Sequence, residues 1–598
     1  MRFFFLLSAL CAATVTAANR PNIILLMGDD HGWAETGYYG HPHLKTPVMD
    51  EMARTGLRLD HFYAGHPSCS PTRGSVLTGR HPNRYGTFTP GYSLRPQEIT
   101  IAEALKKAGY TTGHFGKWHI GSVRADGAAS PGNSGFDEWF SSPNFYENNP
   151  LFSHNGKVIE TKGESSDVTA GLAMDWIGKV AKGKKPFLAV VWFGNPHSPH
   201  VAVDKFKKMY SDQPDGVAHF FGEITAMDAA LGKMRSGLRK LGIADNTVLW
   251  YCSDNGSLPK GSSGGLRARK GSLYEGGIRV PAVLEWPAWV KANRITDINA
   301  NTSDIYPTLL ELAGVALPKN QPRLDGISLA PLLRGEKQVR KQPMGFWTYH
   351  NRGYGRHARR MLEALRQEQL DGNQQPAAPE GQIGRFHPAD NLPGHSAWIE
   401  GDYKLHRIPV KKNATQFNYE LYHLVNDPKE SNNLLNEDKS RLAKRFGRMK
   451  ADLVTWQQSV INSLNGRDYR CCGLCGVRWQ AQRDTAFLSL TENTIPKRRC
   501  HFALPAHSKV ALGQAMSRKK LLPPGETLLH PITSAVEPID LAGLFPVEQP
   551  LELELGCGDG SFTLQYALAN PGRNIVALER LLGRITKLDR KGHRAGLK

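Results

Sequence analysis

Cysteine is scarce in this chain. There are eight cysteines in 598 residues, and between Asn19 and Arg470 only Cys69 and Cys252 occur. That excludes a disulfide framework as the basis of the fold over this stretch. Cys471, Cys472 and Cys475 cluster, with Cys500 and His501 further on. The Cys-x2-Cys pair hints at zinc, but the second half of such a site is missing and the cluster reads as accidental. After the N-terminus no run approaches the roughly 20 apolar residues that a membrane-spanning helix needs. Long low-complexity stretches are absent too, and 40% hydrophobic with 22% charged residues is an ordinary globular composition. Acidic residues are outnumbered, 55 against 75 basic, which leaves a formal net charge of +20. Such a balance concentrates polyanions, and it does not separate polysaccharide from nucleic acid.

What is present begins with Arg2, an apolar run from Phe3 to Ala13, and small residues up to Ala18. This pattern predicts a secretory signal cut after Ala17 or Ala18, and hence an exported protein. The length allows roughly two to four domains. Asn22 to Met27 reads as a buried parallel strand that delivers Asp29 and Asp30 at its C-terminal end, where ligands gather in open α/β sheets. Phe187 to Phe193 and Thr247 to Cys252 read as further buried strands, the second running into Asp254 and Asn255. Ile99 to Ala108 and Glu223 to Leu241 read as helices. This alternation predicts an α/β sandwich around a mostly parallel sheet. The Arg-, Gln-, Gly- and Pro-rich stretch from 354 to 395 suggests an inserted surface segment. A hairpin is expected from Ala397 to Glu400 and Tyr403 to Ile408, and an amphipathic helix from Asp438 to Leu464.

The most informative run is Cys69-Ser-Pro71-Thr-Arg73 followed by Leu77-Thr-Gly-Arg80. Pro71 suits the first turn of a helix whose free N–H groups face Cys69, and such a helix start attracts an anion. The run resembles the signature of the type I sulfatases, whose cysteine is oxidised to formylglycine. Gly116-Lys117-Trp118-His119, Pro196-His197-Ser198-Pro199, and Lys270 seven residues before Gly277-Ile278-Arg279-Val280-Pro281 match other motifs of that family. The resemblance covers about residues 19 to 465. It implies an alkaline-phosphatase-like catalytic domain to residue 395 and a small antiparallel C-terminal subdomain from 396 to 465.

The resemblance also implies roles. Cys69 would become the nucleophile, supplied by a formylglycine-generating enzyme. Arg73 would stabilise the aldehyde hydrate, Lys117 and Lys270 would hold the sulfate, and His119 would hold a hydrate hydroxyl. His197 or Lys270 would give a proton to the departing alcohol. Asp29, Asp30, Asp254 and Asn255, with residue 69, would bind Ca²⁺, with Mg²⁺ as the alternative; their hard oxygen donors suit either ion. The expected substrate is a sulfated small molecule or polysaccharide. A phosphatase or phosphonate hydrolase is the alternative on the same fold, and a non-catalytic binder of sulfated glycans is the alternative outside enzymology.

The last 55 residues do not fit that family. Leu551 to Leu555 reads as a strand entering a glycine-rich turn, Gly556-Cys-Gly558-Asp-Gly560; a helix follows, then a strand from Asn574 to Leu578 that ends in Glu579. A strand, a glycine turn, a helix and an acid after the next strand form a nucleotide-binding unit. The stretch from 544 resembles the start of the tRNA (guanine-N7)-methyltransferases. On that resemblance Glu554, Gly556, Gly558, Gly560 and Glu579 would contact S-adenosylmethionine, and tRNA would be a partner. The chain stops before the rest of such a sheet, so a truncated Rossmann-like fragment is expected after a linker from 466 to 543. It is either a true fusion or the join of two reading frames.

Overall fold

The computed structural model describes residues 20–469 apart from 337–338, 350–356, 382–386, 411–412 and 437–438, together with the strands Leu551–Leu555 and Asn574–Leu578. The expected signal segment, the cysteine cluster, and Gly556, Gly558, Gly560 and Glu579 lie outside the described residues; Glu554 lies in the first of those two strands.

Residues 20–469 are organised by a ten-stranded sheet. Five of its strands run parallel, in the order Thr247–Ser253, Asn22–Gly28, Phe187–Trp192, Thr111–Lys117 and Glu138–Ser142. On one side Ala282–Glu285 joins antiparallel, with Leu57–Leu59 and Arg294–Thr296 beyond it in the original direction; on the other, Leu151–His154 joins antiparallel and is followed by Lys157–Glu160. The expected strands at 22, 187 and 247 are therefore neighbours. Their unbroken apolar runs follow from burial on both faces. Ile23, Leu25 and Met27 enter one apolar cluster with Leu188, Val190 and Trp250. Ile24 and Leu26 enter a second, under the helix Asp215–Lys240.

The helix expected near 101 is Ile101–Lys107, started by a capping box in which Thr100 and Glu103 satisfy each other's backbone N–H. The helix expected from 223 starts earlier, at Asp215 after Pro214, because the first two turns are only partly apolar and give a weak periodic signal. Within the segment expected as a surface insert lies the helix Ala358–Leu370. Leu362 and Leu365 are buried in the main apolar cluster, so this helix is anchored in the core as well as covering it.

The C-terminal part is a four-stranded antiparallel sheet, Met344–Trp347, Ser396–Glu400, Tyr403–Val410 and Asn413–His423 in spatial order. The predicted hairpin forms its centre. The helix Lys439–Leu464 packs on it through Met449, Leu453, Trp456 and Val460. This sheet is tied to the catalytic part by buried charge. Lys404 Nζ lies 2.8 Å from Glu275 Oε1 and 3.1 Å from Glu430 Oε1, and His406 Nε2 lies 2.7 Å from the same Glu430 oxygen. The Glu275 N–H donates to Glu430 Oε2, and the Tyr63 hydroxyl to Glu275 Oε2.

The second compact unit, 475–598, contributes the two described strands, which pair in parallel with Leu551 opposite Asn574 and Leu555 opposite Leu578.

Removing one member of a buried charge cluster leaves its partners uncompensated. Lys404→Met is expected to destabilise the catalytic unit by about 3–5 kcal/mol. Urea unfolding followed by tryptophan fluorescence checks this, and a loss below about 1 kcal/mol would contradict the assigned role.

Candidate active site

The parallel strands end together, and the chemistry-bearing residues follow them. Asp29 and Asp30 come directly after Asn22–Gly28, and Asp254 and Asn255 after Thr247–Ser253. Lys117 closes Thr111–Lys117, and His197 lies in the loop after Phe187–Trp192. Cys69 enters from the side as the first residue of the helix Cys69–Thr78, every residue of which is buried. Pro71 is the third residue of that helix, so the cysteine lies in its first turn as the sequence suggests.

Two backbone features aim these groups. Gly116 has φ 101°, and a Cβ there would meet the Trp192 carbonyl oxygen at 1.9 Å, so only glycine lets the strand reach Lys117 in this register. Asp30 and His119 adopt φ 71° and 61° without being glycine. Such conformations persist only where surrounding structure holds them, and they gather at functional sites.

The pocket is a lattice of opposite charges. Lys117 Nζ donates to Asp29 Oδ2 at 2.6 Å, and Lys270 Nζ lies 2.5 Å from Asp30 Oδ1. Arg73 reaches Asp254 Oδ2 through two nitrogens, at 3.1 and 2.7 Å, and donates to the Lys117 carbonyl at 3.2 Å. Its guanidinium also lies over the Trp192 ring. Asp254 Oδ1 accepts from the Asp30 N–H at 3.1 Å, and Asn255 Nδ2 donates to Asp30 Oδ1 at 2.7 Å. His197 Nε2 is 3.7 Å from Asp30 Oδ2.

Burial and charge set the protonation states. Burial pushes the Cys69 thiol up to about 12 against the opposing pull of Lys117 and Lys270. Asp30 loses solvent as well, but Lys270, His197 and Lys117 together hold it well below the usual carboxylate range. Burial, with Asp29 nearby, raises Asp254 to about 6 against Arg73. Burial lowers His197 to about 3 and takes His119 well below 6.5, so both are neutral at pH 7.

Three buried oxygens, Asp29 Oδ1, Asp30 Oδ2 and Asn255 Oδ1, have no hydrogen-bond partner among the described residues. Orphaned acceptors of this kind are costly unless something fills the gap. Ligand atoms of Asp29, Asp30, Cys69 and His197 lie within 4.8 Å of one another. The three orphaned oxygens are hard donors that fit a hard divalent cation, and Cys69 and His197 stand beside them with one sulfur and one nitrogen. Both oxygens of Asp254, expected as a ligand, are already engaged by the Asp30 N–H and by Arg73.

All ten residues singled out around Cys69 therefore lie in or beside one pocket. Sequence reading passed over Glu35, which is buried and accepts from Ser257 Oγ, the Ser262 N–H and the Gly32 N–H. It ties the Asp29–Asp30 loop to the segment leading to Lys270, and burial raises it to about 7. The loop Phe136 to Asn149 is expected from the sequence to carry specificity, but Phe145 within it, whose ring stacks on His197 at 4.4 Å, is not singled out. One acid in a loop and one aromatic beside a turn carry no spacing signal.

Comparison with known proteins gives this pocket its context. The sulfatase family profile matches residues 21–315, and the profile for the C-terminal part of N-sulphoglucosamine sulphohydrolase matches 268–369. The dog N-acetylgalactosamine-6-sulfatase is 32% identical over 390 residues, which span 58% of this chain and 72% of that one. The chain belongs to the sulfatase family. It is a sulfuric ester hydrolase, and the pocket around Cys69 is its candidate active site. Human arylsulfatase A is 32% identical over 375 residues, covering 56% of this sulfatase and 72% of the relative. The ulvan-active sulfatase of Formosa agariphila is 30% identical over 338 residues, covering 53% and 65%. Among solved structures, Ps i-CgsB in complex with k-i-k-neocarrahexaose shares the fold, with TM-score 0.60, 24% identity, and coverage of 73% of this chain and 93% of that one.

A pH dependence follows from the neutral histidines. His31 is lowered to about 4 by burial, against a hydrogen bond from its ring to the Glu35 carbonyl. The unfolded chain protonates the rings of His31 and His197 near 6.5, the folded one only near 4 and 3. The unfolded state therefore takes up more protons as pH falls, and stability present above 6.5 is lost toward 4. The loss is on the order of 3 kcal/mol from His31 alone. Glu35 and Asp254, raised to about 7 and about 6, take up protons in the folded state over the same range and offset this loss. The check is therefore the Tm of metal-free wild type relative to that of His31→Asn: the wild-type advantage should shrink between pH 6.5 and 4, and an advantage that does not change with pH would contradict the assignment of His31.

Proposed function

We propose that this sulfatase hydrolyses sulfate esters of carbohydrates through a formylglycine hydrate made from Cys69, with Ca²⁺ held by Asp29, Asp30 and Asn255 and with Asp254 supporting them. Mg²⁺ is the alternative ion. The observation that carries the reading is the convergence of three orphaned oxygens and three fixed cations, Arg73, Lys117 and Lys270, on the buried thiol of residue 69. A divalent cation bound there would draw electron density from sulfate oxygens.

Cysteine itself is a poor nucleophile in this setting, because attack requires a thiolate and burial keeps the thiol protonated. An aldehyde hydrate needs no such ionisation. One hydroxyl on residue 69 gives up its proton to the pocket as its oxygen bonds to sulfur, the bond between sulfur and the sugar oxygen breaks, and that oxygen leaves with a proton from Lys270 or His197. The second hydroxyl then gives up its proton, the carbon–oxygen double bond reforms, the bond to the sulfate oxygen breaks, and water restores the hydrate. Lys117 and Lys270 face the sulfate, Arg73 steadies residue 69 through its own bonds to Asp254 and the Lys117 carbonyl, and His119 supports the hydrate. His197 is neutral before substrate arrives; the negative charge of a sulfate beside it favours its protonation.

The carbohydrate class is supported by relatives whose names specify N-acetylgalactosamine-6-sulfatase and ulvan activity, and by the k-i-k-neocarrahexaose bound in a structural neighbour. The basic balance suits such polyanions, and the N-terminal apolar run fits export to where they occur. A second reading applies to the tail alone. The parallel pairing of Leu551–Leu555 with Asn574–Leu578 supports a fragment of a nucleotide-binding unit, for which S-adenosylmethionine would be the ligand. Equilibrium dialysis of the full chain with that cofactor tests it.

Cys69→Ala is expected to lower turnover of 4-methylumbelliferyl sulfate at least about a thousandfold, as loss of a nucleophile does. Substantial residual activity would refute the assignment, and mass analysis of the Leu59–Arg73 tryptic peptide reads the aldehyde directly. Chelation should abolish activity and lower Tm, and add-back of Ca²⁺ or Mg²⁺ identifies the ion by which one restores both.

A further inference from the structure

Next to the candidate active site, and lined by the Phe145 ring that stacks on His197, is a cavity of about 140 Å³. One wall is the loop bearing Phe145, Glu147 and Leu151; the other is His357, Arg359 and Arg360, at the start of the helix Ala358–Leu370. The link to the candidate active site is a chain of ring contacts. Phe145 stacks on His197 at 4.4 Å, and His357 meets the outer edge of Phe145 at 5.5 Å. The placement of the two walls is fixed. Arg359 donates to the Asn149 carbonyl at 3.0 Å, and Leu362 and Leu365 hold the helix in the core.

The charges on these walls are unequal. Arg359 has a partial partner in Glu363 on its own helix, 3.6 Å away. Arg360 makes no hydrogen bond or ion pair with any described residue, and neither does Glu147. Two arginines and one glutamate therefore line a small space whose apolar lining includes Phe145, Tyr146, Pro150 and Leu151. Guanidinium forks bind sulfate and carboxylate through paired hydrogen bonds, aromatic and aliphatic faces accept a sugar ring, and a lone carboxylate accepts from hydroxyls.

We infer that this cavity is a subsite for a second anionic group, a sulfate or a carboxylate, on the sugar next to the one being desulfated. The inference rests on the carbohydrate reading above. Arg360 is the principal contact and Arg359 the supporting one. The subsite gives this sulfatase a preference for sulfated chains with a charged neighbour over isolated sulfated sugars.

The test uses the full-length protein. A screen of monosaccharide sulfates selects the one that the wild type hydrolyses fastest. Sulfate release is then measured for that sugar alone and for the disaccharide in which a uronate is attached to it. Wild type is expected to favour the disaccharide. Arg360→Ala is expected to raise KM for the disaccharide about tenfold more than KM for the monosaccharide, and Arg360→Lys to recover part of the difference. An equal effect on both substrates, or a wild type that hydrolyses both without preference, overturns the subsite. A wild type that cleaves 4-methylumbelliferyl sulfate but no saccharide of the screen overturns the carbohydrate reading, and the subsite with it.

Discussion

Asp29, Asp30 and Asp254 are crowded into a space without solvent at the ends of two adjacent strands, and the surrounding architecture serves to make that arrangement tolerable. Three carboxylates repel one another and lose hydration on burial. Each is answered by a cation from a different part of the chain: Lys117 from the next-but-one strand, Lys270 from a long loop, and Arg73 from the helix that carries Cys69. Three negative and three positive side chains leave the pocket near neutrality. A divalent cation added at the orphaned oxygens would turn it positive, which suits a sulfate monoanion and explains how one pocket accommodates both a metal and an anionic substrate.

The sheet order is what makes those answers reachable. With Asn22–Gly28 between Thr247–Ser253 and Phe187–Trp192, residues more than 200 positions apart meet at one edge. These five neighbouring strands, Thr247–Ser253 to Glu138–Ser142, all point their C-terminal ends to the same side, so loops that differ in length and origin converge there.

The two central strands and their carboxylates were legible because burial on both faces demands continuous apolar sequence, which needs no partner to be recognised. Thr111–Lys117 was not legible as a strand, since its glycines at 113 and 116 and its polar threonines give neither alternation nor an apolar run. Its glycines answer tertiary demands: Gly116 admits the Trp192 carbonyl, and Gly113 lies against Phe115 and Trp176. Lys117 was found only through the short motif around it. Phe145, Glu35 and the anchoring leucines of Ala358–Leu370 owe their places to neighbours distant in sequence, and no local pattern encodes such contacts. The composition of 354–395 was read correctly as polar, yet polarity on three sides of a helix says little about the fourth.

The buried bond from Lys404 to Glu275 and Glu430 joins one of the last-made parts of the catalytic unit to the loop that holds Lys270. During synthesis, therefore, that loop has its contacts to Glu35, Asp30 and Pro67 but lacks this buried ion pair until the strand Tyr403–Val410 and Glu430 have both left the ribosome. Cys69, only 2% exposed once folding is complete, has been made more than 300 residues earlier. A side chain enclosed to that degree is open to another macromolecule only while the catalytic unit has not closed around it.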